Sequence, residues 1–315
     1  MDSFYSTRPP FLEGNSPASR SLTFLGITLL SLSFFSRVSV VLLKPLFGIN
    51  PLAAGGMIED FSSPGTRSVL EFLQIVQAIG LFIAPVLFFS WLHDRNVFSF
   101  PMLNKKVHLI SIGMVIVLMI AAQPLINYLG ELNSRLVLPE SLKSLEDWMK
   151  SSEDQAAKLT ELFLNVESLQ EFSIVFMMVA ILPAIGEEML FRGSVQRLLG
   201  EWTKNSHIAI LISALLFSAL HMQFYGFVPR MLLGVLLGYL FLWSGSLWLP
   251  ITAHFVNNGL AVVLIFLNKK GMISFDPDKI GTGENQLVSV MASALFVVLI
   301  IWQLQKREAG LKNFE

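Results

Sequence analysis

The sequence predicts an all-α, polytopic membrane protein, with about eight transmembrane helices around a polar cavity. Three observations predict it. Hydrophobic residues make up 53% of the chain and charged residues 14%, against about 45–50% and 25% in soluble domains. The apolar residues fall into eight stretches near the roughly 20 residues that a helix needs to cross a bilayer core. Lys and Arg also gather in alternate connections, as the positive-inside rule expects. The same composition excludes other classes. A net charge of −1 gives no basic field for nucleic acid and no nucleic-acid motif is present, so no nucleic-acid partner is expected. With no cysteine in the chain, disulfides, Cys-ligated zinc, iron–sulfur centres and a thiol nucleophile are excluded.

The spans lie near residues 21–43, 69–92, 107–129, 172–191, 207–222, 226–243, 247–267 and 286–304. The first is too long for a signal-peptide core and no small-residue cleavage site follows it, so it is read as retained. The fifth and sixth are short, and one helical hairpin could hold both. Arg95, Lys105 and Lys106 crowd the second loop, Arg192, Arg197 and Lys204 follow the fourth span, and Lys306, Arg307 and Lys312 follow the last. All fall on one side if both termini are cytoplasmic. The loop over 130–170 is acidic; its "SSED" at 151–154 resembles a capping box opening a helix over "QAAKLTELFLNV", a partly interfacial segment on the outer side. Gly234 and Gly238 form a GxxxG that permits close helix contact. Arg37 inside the first span marks an earlier helix end or a cavity lining, whereas Lys44 and Glu71 read as interfacial. No internal repeat is evident, and disorder is expected in the first ~15 residues and the last few, from composition.

Polar residues in the apolar second half point to a site. Glu187, Glu188 and Arg192 stand in "GEEMLFRG", His221 ends "FSALH", Arg230 follows Pro229, and His254 and Asn258 bracket "HFVNN". Ionisable groups in membrane spans usually face a bundle interior or a watered cavity. Glu188 and Arg192 are four apart with the acid first, the favourable order for a helical pair, while Glu187 is turned about 100° away. Glu188 is therefore the structural partner and Glu187 is free for chemistry. Pro183 kinks the span and Gly186 allows close approach. His254 and Asn258 share a face and both can donate hydrogen bonds, as a developing oxyanion requires. His221 can orient or activate a water beside Glu187. Together these groups are the parts needed to hydrolyse a peptide without a covalent nucleophile, and the cavity is expected to be catalytic. Arg230, at the start of a span, reads as a snorkelling structural residue.

"EEMLFR", "FSALH" and "HFVNN" resemble the EExxxR, FxxxH and HxxxN motifs of the CPBP intramembrane proteases, the superfamily of the CAAX-processing Ras-converting endopeptidase and the bacterial Abi proteins. The resemblance covers about 172–267. It implies an intramembrane endopeptidase in which Glu187 and His221 activate water, His254 and Asn258 form the oxyanion hole, and Glu188 and Arg192 hold the geometry. The implied substrate is a membrane-associated peptide or protein, with a lipidated CAAX substrate and bacteriocin immunity known only as family associations. No cofactor is favoured; a zinc alternative would use Glu187, His221 and His254 as ligands. The competing classes are a non-catalytic membrane scaffold and an ion- or proton-coupled transporter. The chain divides into a cytoplasmic tail (1–20), N-terminal helices with the acidic loop (21–171), the catalytic core (172–267) and a last helix with its tail (268–315). The expected location is a bacterial plasma membrane with both termini cytoplasmic and substrate reaching the site from the cytoplasmic leaflet. The oligomeric state is left open.

Overall fold

The computed structural model describes residues 11–12, 14–50, 65–281 and 286–312. Helices account for its regular structure, and there is no strand among the described residues. In chain order they are α1 (Pro17–Phe47), α2 (Thr66–Asp94), α3 (Leu109–Ala121), α4 (Gln123–Ser134), α5 (Lys143–Leu164), α6 (Leu169–Thr203), α7 (Ser206–Ala219), α8 (Phe227–Ser244), α9 (Trp248–Lys269) and α10 (Gln286–Lys312). Six of them (α1, α2, α6, α8, α9 and α10) are long and apolar enough to cross a membrane. This is an integral membrane protein. Most of the first 15 residues and the last three lie outside the described residues, and with them the expected terminal disorder.

The remaining two predicted spans take different forms. The stretch over 107–129 is not one straight helix: α3 and α4 meet at a 45° bend, and the pair passes as a span only together. Gln123–Pro124 explains the break, because Pro124 has no amide hydrogen to continue the backbone ladder. Helix α7 has 14 residues, about 21 Å at 1.5 Å per residue, and does not cover the full bilayer core by itself. It packs along α8 instead. Gly234 and Gly238 make this possible: a Cβ at Gly234 would lie 3.0 Å from the Ala214 Cβ, and one at Gly238 would lie 2.8 Å from the Ile210 Cγ2.

Two other expectations are corrected. Helix α1 runs unbroken past Arg37 to Phe47 and stops at Gly48, whose φ of 71° suits the left-handed cap. Glu71, in the second turn of α2, is buried and paired with Arg67 at 2.8 Å. "SSED" caps nothing, since α5 starts at Lys143 after Pro139 and a 3-10 turn. Pairs spaced four apart, Lys143 with Asp147 and Lys150 with Glu146, carry the helix through Ser151 and Ser152.

Contacts between connections sort the bundle into two ends. At one, Ser246 Oγ donates to the Lys105 carbonyl (2.7 Å), the Trp248 indole donates to Leu103 O (3.0 Å), and Arg20 pairs with Glu201 (3.1 Å). At the other, Arg67 donates to Asn165 O (2.7 Å), Asn133 to Phe224 O (3.0 Å) and Lys270 to Glu167 O (2.7 Å). The first end carries Arg95, Lys105, Lys106 and Lys204; the second carries the acidic α5. A core of Phe89, Phe100, Phe191, Phe217 and Leu247 joins α2, α6, α7 and the loop before α9.

Candidate active site

The site is built on α6, and its backbone is irregular there for sequence reasons. Two π-helical turns lie here, Met177–Ile181 before the EEMLFR motif and Phe191–Gln196 beginning within it. Pro183 has no amide hydrogen to offer the carbonyl four residues back, that of Val179. Asn258 supplies a donor there from α9, with Nδ2 3.0 Å from Val179 O. Asn257 Nδ2 in turn donates to Asn258 Oδ1 at 3.1 Å, which fixes the orientation of the Asn258 amide. Gly186 lets α6 close on α2, because a Cβ there would come within 2.9 Å of the Phe82 Cβ.

The two adjacent glutamates have different surroundings. Glu188 is fully buried and accepts from two sides: Arg192 Nη1 at 2.7 Å and His254 Nδ1 at 2.7 Å. Arg192, also fully buried, donates through Nη2 to the Gly234 carbonyl (3.0 Å). One turn on, Gln196 donates to the Gly238 carbonyl (3.1 Å), so the two glycines that admit α7 also present carbonyls to α6. Gln196 was missed in the sequence, although its four-residue spacing from Arg192 matches that of Gly238 from Gly234.

Glu187 faces the other way. Its Oε2 is buried and makes no hydrogen bond among the described residues, yet it lies 3.9 Å from His221 Nε2 and 4.0 Å from His254 Nε2. His221 follows α7 in a turn that puts Met222 at φ 55°, and its Nδ1 lies 2.8 Å from the Phe217 carbonyl. A carbonyl only accepts, so Nδ1 carries the proton and Nε2 presents its lone pair toward Glu187. Phe217 is the common support: its ring lies 4.5 Å under the Arg192 guanidinium, 5.1 Å from the His221 ring and 5.9 Å from that of His254. This explains why an aromatic residue precedes His221 by one helical turn.

A cavity of about 450 Å³ opens at these groups. Glu187, His221, Gln223 and Asn258, with Gln74 and Thr160, are its polar lining, while Leu81 and Phe82 of α2 and Leu159 and Phe163 of α5 form apolar walls. The acidic segment is therefore not only interfacial but a wall of the site. It is fastened at both ends: Arg67 holds the carbonyls of Phe163 (3.2 Å) and Asn165 at its C-terminus, and Glu153 accepts from the Tyr225 amide (3.3 Å) while Trp148 packs on Phe224 (5.1 Å). Its fastenings therefore reach the turn that carries His221. Arg230 is half-buried and donates to Gln223 in the turn before α8.

The structure thus brings Glu187, His221, His254 and Asn258 to one region, with Glu188 and Arg192 behind them. Residues 169–260 match the family model described as type II CAAX prenyl endopeptidase Rce1-like, and all three motifs fall within that stretch. A Bacillus subtilis (strain 168) protein described as uncharacterized protein YpbD is similar: it is 38% identical over 80 residues, 24% of this chain and 38% of that protein. The match thus covers well under half of that relative. No solved structure matches the chain.

Proposed function

We propose that this chain, whose residues 169–260 are an Rce1-like segment, is an intramembrane endopeptidase that hydrolyses a peptide bond of a membrane-associated substrate with water activated by Glu187 and His221. One observation carries the reading. Inside a membrane-spanning bundle, a buried carboxylate oxygen without a hydrogen-bond partner lies 3.9 Å from the acceptor nitrogen of His221, at a cavity wall. Two acceptors at that separation each lie about 2.8 Å from a shared water, an ordinary hydrogen-bond length.

In this mechanism the water donates its hydrogens to Glu187 Oε2 and His221 Nε2 and turns a lone pair to the substrate carbonyl. Its oxygen bonds to the carbonyl carbon as Glu187 takes the proton. The oxyanion accepts from the second N–H of Asn258 and from His254 Nε2. Because His254 Nδ1 already donates to Glu188, a ring that donates through both nitrogens is the imidazolium. Its charge and that of Arg192 are balanced by the two glutamates. Glu187 then returns the proton to the leaving nitrogen as the C–N bond breaks, which leaves a carboxylic acid that ionises and a free amine. Glu188 and Arg192 act as positioning residues.

The zinc alternative fits less well. Two ligands of a tetrahedral zinc at about 2.0–2.2 Å stand about 3.3 Å apart, closer than 3.9 and 4.0 Å. Among the described residues, no group of three such side chains is arranged to hold an ion. The apolar walls support a substrate with an apolar or lipid-bearing segment beside the cleaved bond, of which a CAAX-type lipopeptide is one form. With the termini cytoplasmic in a bacterial plasma membrane, α5 and the His221 turn face outward. Substrate then reaches the cavity from that side rather than from the cytoplasmic leaflet. Purified protein in proteoliposomes tests the mechanism: cleavage should survive chelation and metal-free exchange, and a loss that added zinc restores would overturn it.

A further inference from the structure

A second cavity, about 710 Å³, lies between α4, α8, α9 and α10. It adjoins the Glu187 cavity through two walls. Gln223 lines the Glu187 cavity and accepts from Arg230, which lines the larger one: Nη2 reaches Gln223 Oε1 at 2.6 Å and Nη1 its carbonyl at 3.3 Å. Asn257 of the larger cavity donates to Asn258 of the smaller at 3.1 Å.

The other charges in this cavity are matched. Glu131 is paired with Arg135 and accepts from Gln286 (2.7 Å), and Lys279 stands 3.5 Å from Asp276. Arg230 differs: among the described residues no carboxylate lies within ion-pair distance of it, Glu153 and Glu187 act on it only from farther away, and Gln223 uses two of its five donors. Gly226 leaves room for the guanidinium, since a Cβ there would lie 3.1 Å from Nη2. The remaining donors of the half-buried guanidinium are open to an anion in this cavity, and its planar fork matches a carboxylate.

We propose that the larger cavity is the subsite for the substrate segment on one side of the cleaved bond, and that Arg230 pairs there with a carboxylate of that segment. The proposal rests on the endopeptidase reading. The carboxylate is either an Asp or Glu side chain or a free C-terminus, a few residues from the scissile carbonyl at about 3.3 Å per extended residue.

The test uses the full-length protein in proteoliposomes and amphipathic peptides that carry Asp, Asn or Lys at one position, each with a free or an amidated C-terminus. Wild-type protein should favour the carboxylate-bearing peptides by about tenfold, as a charge-assisted contact implies. The free and amidated series identify which carboxylate is read. Arg230→Gln should bring the preference to within about twofold, mainly through KM, while Arg230→Lys keeps part of it. Gly226→Ala, which pushes on the guanidinium without removing it, should weaken the preference and guards against misfolding of Arg230→Gln. Fluorescence anisotropy of the same peptides on Glu187→Gln reads the subsite without catalysis. Carboxylate-selective binding that is lost in Glu187→Gln/Arg230→Gln supports the subsite even if wild-type protein cleaves nothing, in which case the endopeptidase reading alone fails. Equal binding of all peptides, or an Arg230→Gln effect confined to lipid requirement, overturns the proposal.

Discussion

Asn258 and Pro183 meet at one stretch of α6: the proline offers no amide hydrogen to the carbonyls before it, and Asn258 Nδ2 donates to one of them, Val179 O, at 3.0 Å. The residue proposed to hold the oxyanion is thus held in place by the irregular turn of the helix that carries Glu187. Asn258→Ala should cost about 1–3 kcal/mol by orphaning that carbonyl. In a Pro183→Ala background the same change should cost less, because residue 183 then has an amide hydrogen to offer. A double-mutant cycle by thermal unfolding in detergent should return a coupling of about 0.5–3 kcal/mol. Strict additivity would break the link.

Removing Arg192 should destabilise the protein far more than neutralising Glu187. Arg192→Ala leaves Glu188 buried beside only His254 and strips the Gly234 carbonyl, a loss on the order of 3–5 kcal/mol. Glu187→Gln replaces a carboxylate whose Oε2 makes no hydrogen bond with a neutral near-isostere, and the melting temperature should stay within a few degrees of wild type. The reverse ranking would mean that the two glutamates have exchanged roles.

Gly234→Ala should be worse than Gly26→Ala. At Gly234 the new Cβ would meet the Ala214 Cβ at 3.0 Å and Cα at 3.1 Å, and the backbone of α7 has little room to yield; at Gly26 nothing lies within 4 Å. An overpacking cost of about 1–3 kcal/mol is expected at the first position and slight stabilisation at the second. Unfolding midpoints of the two variants check this.

Orientation is open to a clean labelling test because the chain has no cysteine. With both termini cytoplasmic, a membrane-impermeant maleimide should label Ser151→Cys on intact cells and Lys105→Cys only after permeabilisation. The opposite pattern would put the α5 wall and its cavity on the cytoplasmic side.

The spans and the grouping of the polar residues of α6, α7 and α9 were legible in the sequence because each rests on local information. Runs of apolar residues mark helices, and four-residue spacing pairs Glu188 with Arg192 and His254 with Asn258. What was not legible depends on distant contacts. The apolar face of α5, with Leu159 and Phe163, is as compatible with a lipid interface as with a cavity wall, and only the Arg67 clamp nearly a hundred residues earlier in the chain decides between them. The "SSED" pattern misled because a capping box and the interior of a salt-bridged helix have similar composition. Pro183 was read as a kink, but nothing local says that Asn258 would serve the freed carbonyl. The hydrogen bonds from Arg230 to Gln223 were not legible either, because Gln223 lies in a turn that hydropathy does not mark.

The most direct test compares the termini of host membrane proteins between cells expressing wild-type protein and cells expressing Glu187→Gln, by mass spectrometry at matched expression and fold. The account predicts new termini within or beside apolar segments, present only with the wild type. Identical termini in the two would contradict hydrolysis at Glu187.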